Sequence, residues 1–336
     1  MSEAVASAEE PVENRTAVPV IAGLAAIAGV AFIASLLVGP SGIGLPRGSH
    51  AAELIFTQIR LPRAILGALI GGTLGLAGAV LQGYLRNPLA EPGLLGISGG
   101  AALGAVIAIH SGASAAFALA LPLGGLAGAA LAAIAIMILA GTRTGPLTLI
   151  LAGVAISSLV GALTTLALNL SPNPFASVEM LFWLLGSLSD RSLAHVWLAA
   201  PLIIAGSALL LTTGRALDAL TLGDEAAQNL GVNPTGLRNR IVTGTALSVG
   251  AATAVSGTIG FVGLVVPHLL RPLVGHEPRR LLPASVFGGA ALVLTADVGL
   301  RLFAPLSDVR LGVVTALVGA PFFLWLVIKT RRELGP

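Results

Sequence analysis

Arg86-Asn87-Pro88-Leu89-Ala90-Glu91-Pro92-Gly93 is a charged, proline-broken segment set between two long apolar runs. Residues 64–85 before it contain no Asp, Glu, Lys or Arg, and neither do residues 92–142 after it. The hydrocarbon core of a bilayer is about 30 Å thick, so a spanning helix needs about 20 apolar residues. Runs of this length, joined by so short a polar turn, restrict the chain to helices that cross a membrane. Composition agrees: 55% of the residues are hydrophobic and 10% are charged, against about 25% charged in soluble domains.

The same composition excludes several functions. The net charge is only +3, and the basic residues are scattered between apolar runs. No basic stripe exists for nucleic acid, despite a pI near 10.5. There is no cysteine, which removes disulfides, thiol nucleophiles and Cys-ligated zinc or iron–sulfur centres. The single lysine, Lys329, stands in Leu326-Val327-Ile328-Lys329-Thr330, so the chain has no Gly-rich phosphate loop ending in Lys-Ser or Lys-Thr. Gly67, Gly71 and Gly75 are four residues apart, as are Gly96, Gly100 and Gly104. Small residues at this spacing let helices in lipid approach closely, which points to packed helices and not to a barrel.

Spans are expected at 18–38, 62–84, 93–109, 115–140, 146–169, 193–213, 238–256, 258–274, 282–302 and 311–328, ten in all. Arg240 and Arg271 have only 30 residues between them, so one of the two segments there must be short or broken, near Ser256-Gly257. With the N-terminus inside, twelve basic residues fall on the cytoplasmic side (Arg15, Arg86, Arg143, Arg215, Arg238, Arg240, Arg271, Arg279, Arg280, Lys329, Arg331 and Arg332). Six fall outside (Arg47, Arg60, Arg63, Arg191, Arg301 and Arg310). This obeys the positive-inside rule; merging the seventh and eighth spans would put the Lys329–Arg332 tail outside. The predicted fold is an all-α polytopic membrane protein with both termini cytoplasmic. Residues 1–17 form a polar tail without the basic start of a secretory signal, so the first span is read as retained. A single ten-helix transmembrane domain covers 18–330, and 331–336 is a cytoplasmic tail.

The longest cytoplasmic connection, 214–237, contains Gly223-Asp224-Glu225-Ala226-Ala227-Gln228-Asn229-Leu230-Gly231. Asp224 and Glu225 suit the first turn of a short helix; Gly231 suits its end, and Pro234 blocks continuation. Ala226, Ala227 and Leu230 give it an apolar face. Such a helix either receives a partner or lies on the headgroups.

Four segments together resemble the permease subunits of type II ABC importers for vitamin B12, haem and ferric siderophores. They are Arg86–Gly93 with Leu94-Leu95-Gly96-Ile97-Ser98-Gly99-Gly100-Ala101; Leu222–Gly231; Gly260–Arg271; and Leu311–Pro321. The resemblance runs from about Arg60 to Arg332. It implies a homodimer in the bacterial inner membrane, two separate ATPase subunits that bind the ATP, and a periplasmic binding protein. It further implies no covalently bound cofactor, with haem or another iron chelate as the transported cargo. It also implies that Gly223, Asp224, Glu225, Ala226, Leu230 and Gly231 couple to the motor. Arg60, Arg63 and Arg301 would dock the binding protein, Gly145, Pro146 and Leu147 would form a cytoplasmic gate, and Phe175, Phe182 and Trp183 would stand at a periplasmic gate. Snorkelling at the interface is the plainer reading of the three arginines.

Gln82–Gly93 looks most like haem permeases, and the further outer arginines Arg47, Arg191 and Arg310 suit an anionic cargo such as haem with its propionates. Ferric siderophores and cobalamin are the alternatives. Asp297, one turn before Arg301, is read as a structural pair with it. Gly96-Ile97-Ser98-Gly99-Gly100 also fits G-x-S-x-G, so an intramembrane serine protease with Ser98 and His268 is the rival from another class. His50, His110, His195, His276 and Tyr84 fall in or near loops and read as solvated residues.

Overall fold

The computed structural model describes residues 14–39, 42–44, 50–141, 145–303 and 309–333. Arg47, Arg143 and most of the expected tails lie outside the described residues. The helices are α1 (Asn14–Leu37), α2 (Leu61–Tyr84), α3 (Ile97–His110), α4 (Ala120–Ala140), α5 (Pro146–Asn169), α6 (Pro174–Leu184), α7 (Leu193–Leu211), α8 (Gly214–Leu220), α9 (Asp224–Asn229), α10 (Pro234–Ser256), α11 (Val262–Leu270), α12 (Pro278–Phe303) and α13 (Leu311–Glu333). Among the described residues, seven helical stretches are long and apolar enough to cross a membrane. The short apolar α3 and α11, with the deeply buried α10, bring the bundle to ten.

The two ends of the bundle can be told apart by their contacts. Arg86 reaches Asp224, Arg238 reaches the carbonyl of Gly141, and Asp218 accepts from the Arg279 N–H at 2.9 Å. At the opposite end Arg301 meets Val38, and the Gly312 N–H meets the Gly186 carbonyl. The start of α1 and the end of α13 therefore share the end that holds the greater number of arginines, which is the cytoplasmic one.

Glycine explains the closest crossings. A Cβ on Gly71 or Gly75 of α2 would strike the backbone of Gly289 or Ser285 of α12. One on Gly104 would strike Gly124, and one on Gly128 would strike Gly100. The four-residue glycine spacing is thus the seam of α2 with α12 and of α3 with α4. Nearly all of α2 is buried. By contrast α5 exposes Leu151, Val154, Leu159, Leu163 and Leu166, a face left open to lipid or to another chain.

Several boundaries differ from expectation. The second span does not begin at residue 62: helix runs from His50 through a π-helical turn, Ile55–Arg60, into α2. The third span starts at Ile97, because Pro92–Leu95 forms a 3-10 turn that ends on left-handed Gly96. The short member of the 238–274 pair is α11. Pro234 does more than stop a helix; it starts α10, with Asn233 accepting from the Gly236 N–H at 3.1 Å. Proline at the first helical position after an Asn cap is a favoured start, and Asn173-Pro174 begins α6 in the same way. Pro267 within α11 has no N–H for the carbonyl of Gly263. Gln82 of α2 supplies one instead, at 3.3 Å, and is itself held by Arg271 at 2.8 Å.

Candidate functional site

The cytoplasmic end gathers the residues expected to couple and to gate. α9 carries Asp224 and Glu225 in its first turn, after Gly223 at φ 106°. It ends in two bonds, Gly231 N–H to Gln228 at 2.9 Å and Val232 N–H to Ala227 at 3.0 Å, with Gly231 at φ 86°. This is the Schellman stop, which needs a residue that tolerates left-handed backbone. Ala227 is buried, but Leu230 does not join it on that face. Leu230 is 65% exposed, and Leu222 is 69% exposed. The helix therefore seats on the permease through Ala227 and turns two leucines outward. The Gly145 and Pro146 backbone at the start of α5 faces it across a cavity of about 340 Å³, which Tyr84, Asp224, Ala227, Gln228 and Val232 also line. Leu147 is exposed at the mouth of α5. Tyr84 and α8 were not read from the sequence as parts of this site.

The charged joint does not stay at the surface. After α2 the chain turns at Arg86, whose φ is 47°, and Arg86 Nη2 donates to Asp224 Oδ1 at 2.5 Å. Asn87 Oδ1 accepts the Leu89 N–H at 2.9 Å. The chain then climbs into the bundle. Gly263, against which Pro92 packs, also touches the Leu74 carbonyl. Leu74 lies ten residues before Tyr84, about 15 Å up the helix at about 1.5 Å per residue. Pro92 is thus near the middle of the bilayer. Glu91, Ser98, Thr258 and Phe261 border a cavity of about 250 Å³ there. Irregular backbone at this depth is tolerated where protein buries it. Leu94 packs its carbonyl on Gly153 of α5, where a Cβ would not fit.

At the outer end the three arginines expected at the surface are engaged within the chain. Arg60 is 5% exposed, and its Nη1 donates to the carbonyls of Leu36, Leu37 and Gly44 at 2.9, 3.0 and 2.7 Å. Arg63 forks onto Asp297, with contacts of 2.7–3.1 Å. Arg301 meets Asp297 at 2.9 Å and also donates to Ser35 and Val38. The pairing of Asp297 with Arg301 expected from the sequence is present, but Arg63 is a second partner on another helix. Two guanidinium groups thus neutralise one carboxylate that has no exposed surface. In this conformation the arginines staple α1 to α2 and α12; none extends a free guanidinium to the outside.

Phe175 and Phe182 on α6 are exposed, whereas Trp183 is buried. Arg310 stands over the Phe182 ring, 5.0 Å from its centroid. Arg191 is nearby; burial lowers its guanidinium pKa, Asp190 opposes that, and Arg310 adds to it. His268 packs edge-on against Phe322, with ring centroids 5.7 Å apart, while Ser98 opens onto the cavity beside Glu91. Among the described residues no group of three His, Asp or Glu could hold a metal ion.

Comparison with known proteins decides what this arrangement is. The profile of the FecCD transport family matches residues 24–329. The chain belongs to the FecCD transport family. As a FecCD permease it is the membrane subunit of an ABC importer and not an enzyme, which ends the Ser98–His268 protease reading. It is 40% identical to the hemin transport system permease HmuU of Yersinia pestis, over 83% of this chain and 84% of that one. It is 39% identical to the cobalamin import permease BtuC of Halobacterium salinarum, over 86% and 76% of the two chains. A solved structure described as an inward-facing conformation of a metal-chelate type ABC transporter superposes with a TM-score of 0.84. That structure is 31% identical and covers 93% of the FecCD permease and 99% of the solved chain.

Proposed function

We propose that this FecCD permease imports an iron chelate, haem above all, across the bacterial inner membrane as a homodimer driven by two ATPase subunits and fed by a periplasmic binding protein. The observation that carries the reading is the shared cavity between α9 and the Gly145–Pro146 start of α5. Asp224, Ala227 and Gln228 of α9 line one side of that space and Gly145–Pro146, read as the gate segment, the other, while the apolar tip beside α9 (Leu222, Leu230) turns outward. A motor that grips the tip moves the wall facing the gate. The exposed faces of α5 from two copies would line the pathway, and ATP would bias which of two helix arrangements is populated.

Haem is favoured over siderophore and cobalamin on two grounds. The Gln82–Gly93 segment resembles haem permeases, and Arg310 and Arg191 bring positive charge to the exposed aromatic Phe182 at the outer mouth. A dianionic planar cargo suits both. Binding-protein docking on Arg60, Arg63 and Arg301 requires those side chains to leave the carbonyls and Asp297 that hold them here, so docking would also loosen α1. Coexpression with the ATPase subunits tests the assembly. A complex of two permeases and two motors is expected; a permease that purifies alone under conditions where it remains folded contradicts it.

A further inference from the structure

We propose that Arg86–Gly96 is a strut that carries motion from α9 to α5, with Arg86 and Leu94 as its two seats. The proposal rests on the reading of α9 as the motor's docking helix. The lower seat is the 2.5 Å contact of Arg86 with Asp224 in the first turn of α9.

Between the seats the segment is stiff. Pro88 and Pro92 fix two φ angles, and short bonds close successive turns. Ala90 N–H meets the Asn87 carbonyl at 3.1 Å, and Leu94 N–H meets the Glu91 carbonyl at 3.1 Å. The middle pivots on α11, where Pro92 fills the space left by Gly263 and Glu91 borders the same cavity as Phe261.

The upper seat is α5. The Leu94 carbonyl occupies the place of a side chain on Gly153, and left-handed Gly96 lies against Ile156 and Ser157. The Ser157 hydroxyl approaches the Gly93 carbonyl at 3.5 Å. A Cβ at Gly153 would clash with the Leu94 carbonyl, so the absence of a side chain there is what lets Leu94 sit against α5. Gly153 and Ile156 face the strut and, like Ala152, are buried, while the opposite face of α5 is open. A displacement of α9 therefore reaches α5 at mid-membrane through about ten residues, without passing along the long helices. A competing route runs from α8 into α12 through Asp218 and Arg279.

The test uses the permease in complex with its ATPase subunits in lipid nanodiscs. The chain has no cysteine, so a spin label at Leu159→Cys, on the open face of α5, reports the distance between two copies with and without ATP. The wild type should show an ATP-dependent shift. Arg86→Glu should keep ATP hydrolysis and reduce that shift about fivefold, at the low end of typical coupling between sites. Arg86→Glu with Asp224→Arg should restore it.

A full shift in Arg86→Glu, or no recovery in the double variant, overturns the strut and favours the α8–α12 route. The upper seat has its own test: Gly93→Cys with Ser157→Cys, oxidised to a disulfide, should leave the shift intact because the two elements move together. Loss on oxidation that a reductant reverses overturns it. A wild-type label that ignores ATP removes the motor reading, and the strut with it.

Discussion

Arg63 and Arg301, from different helices, converge on the single carboxylate of Asp297 at 2.7 and 2.9 Å. All three side chains are nearly sealed from solvent. Removing one partner of such a buried cluster leaves uncompensated charge, which is worth about 3–5 kcal/mol. Asp297→Ala is therefore expected to lower the thermal midpoint in detergent sharply. Arg86→Ala, which breaks the half-exposed pair with Asp224, should change stability by no more than about 1 kcal/mol. Comparable losses in the two variants would contradict this contrast.

Gly71 and Gly289 face each other where α2 crosses α12, and a Cβ on either would strike the other's carbonyl. Gly71→Val places two methyl groups where the backbone of the partner helix lies. Overpacking of a tight core costs about 1–3 kcal/mol or more, and here the neighbour is main chain that cannot rotate away. Loss of monodisperse protein on size-exclusion chromatography is expected. Gly161→Val, on the open face of α5 where nothing lies within 4 Å, should leave it unchanged.

Much of this architecture is legible in the sequence, for identifiable reasons. Apolar runs of membrane length announce spans whatever packs on them, and the glycine spacing at Gly71–Gly75 and Gly100–Gly104 announces which faces meet. What escapes is contact between distant segments. Asp297 has a sequence neighbour, Arg301, at one helical turn, but its stronger fork comes from Arg63, and nothing local marks it. The joint after α2 looks like a surface loop because it is charged at one end. Its climb into the membrane depends on Gly263 and Gly153, which lie far along the chain. The outward turn of Leu230 is invisible for a related reason: a six-residue helix has too few positions for its faces to be told apart by composition. Asn173-Pro174 and Asn233-Pro234 carry a local start signal for α6 and α10, but Pro234 equally fits a block to the preceding helix, and the seventh span is expected only from residue 238.

Leu230 and Leu222 form the outward tip beside α9. Leu230→Glu is expected to leave the permease folded and dimeric, because that side chain touches little of its own chain. Transport should fall at least about tenfold while ATP hydrolysis by the complex continues, as when coupling between two sites is lost. Uptake at the wild-type rate would remove α9 from the coupling path.

Arg310 and Arg191 near Phe182 supply the positive charge invoked for cargo selection. A double change to glutamine is expected to slow haem uptake more than cobalamin uptake, and to remove any preference for haem over its dimethyl ester. Salt screens charge attraction, though less for half-buried groups such as these, so the wild-type preference should shrink modestly as ionic strength rises. Equal effects on both cargoes would contradict a carboxylate-reading role.

ATP-dependent uptake into proteoliposomes containing the permease, its ATPase subunits and its binding protein tests the account most directly. Haem, a ferric siderophore and cobalamin would be compared side by side. Haem accumulation that stops when ATP is withheld, exceeding that of the other two, is the expected result. Accumulation of cobalamin or the siderophore in its place would contradict the cargo assignment, and accumulation of haem without ATP would contradict the mechanism itself.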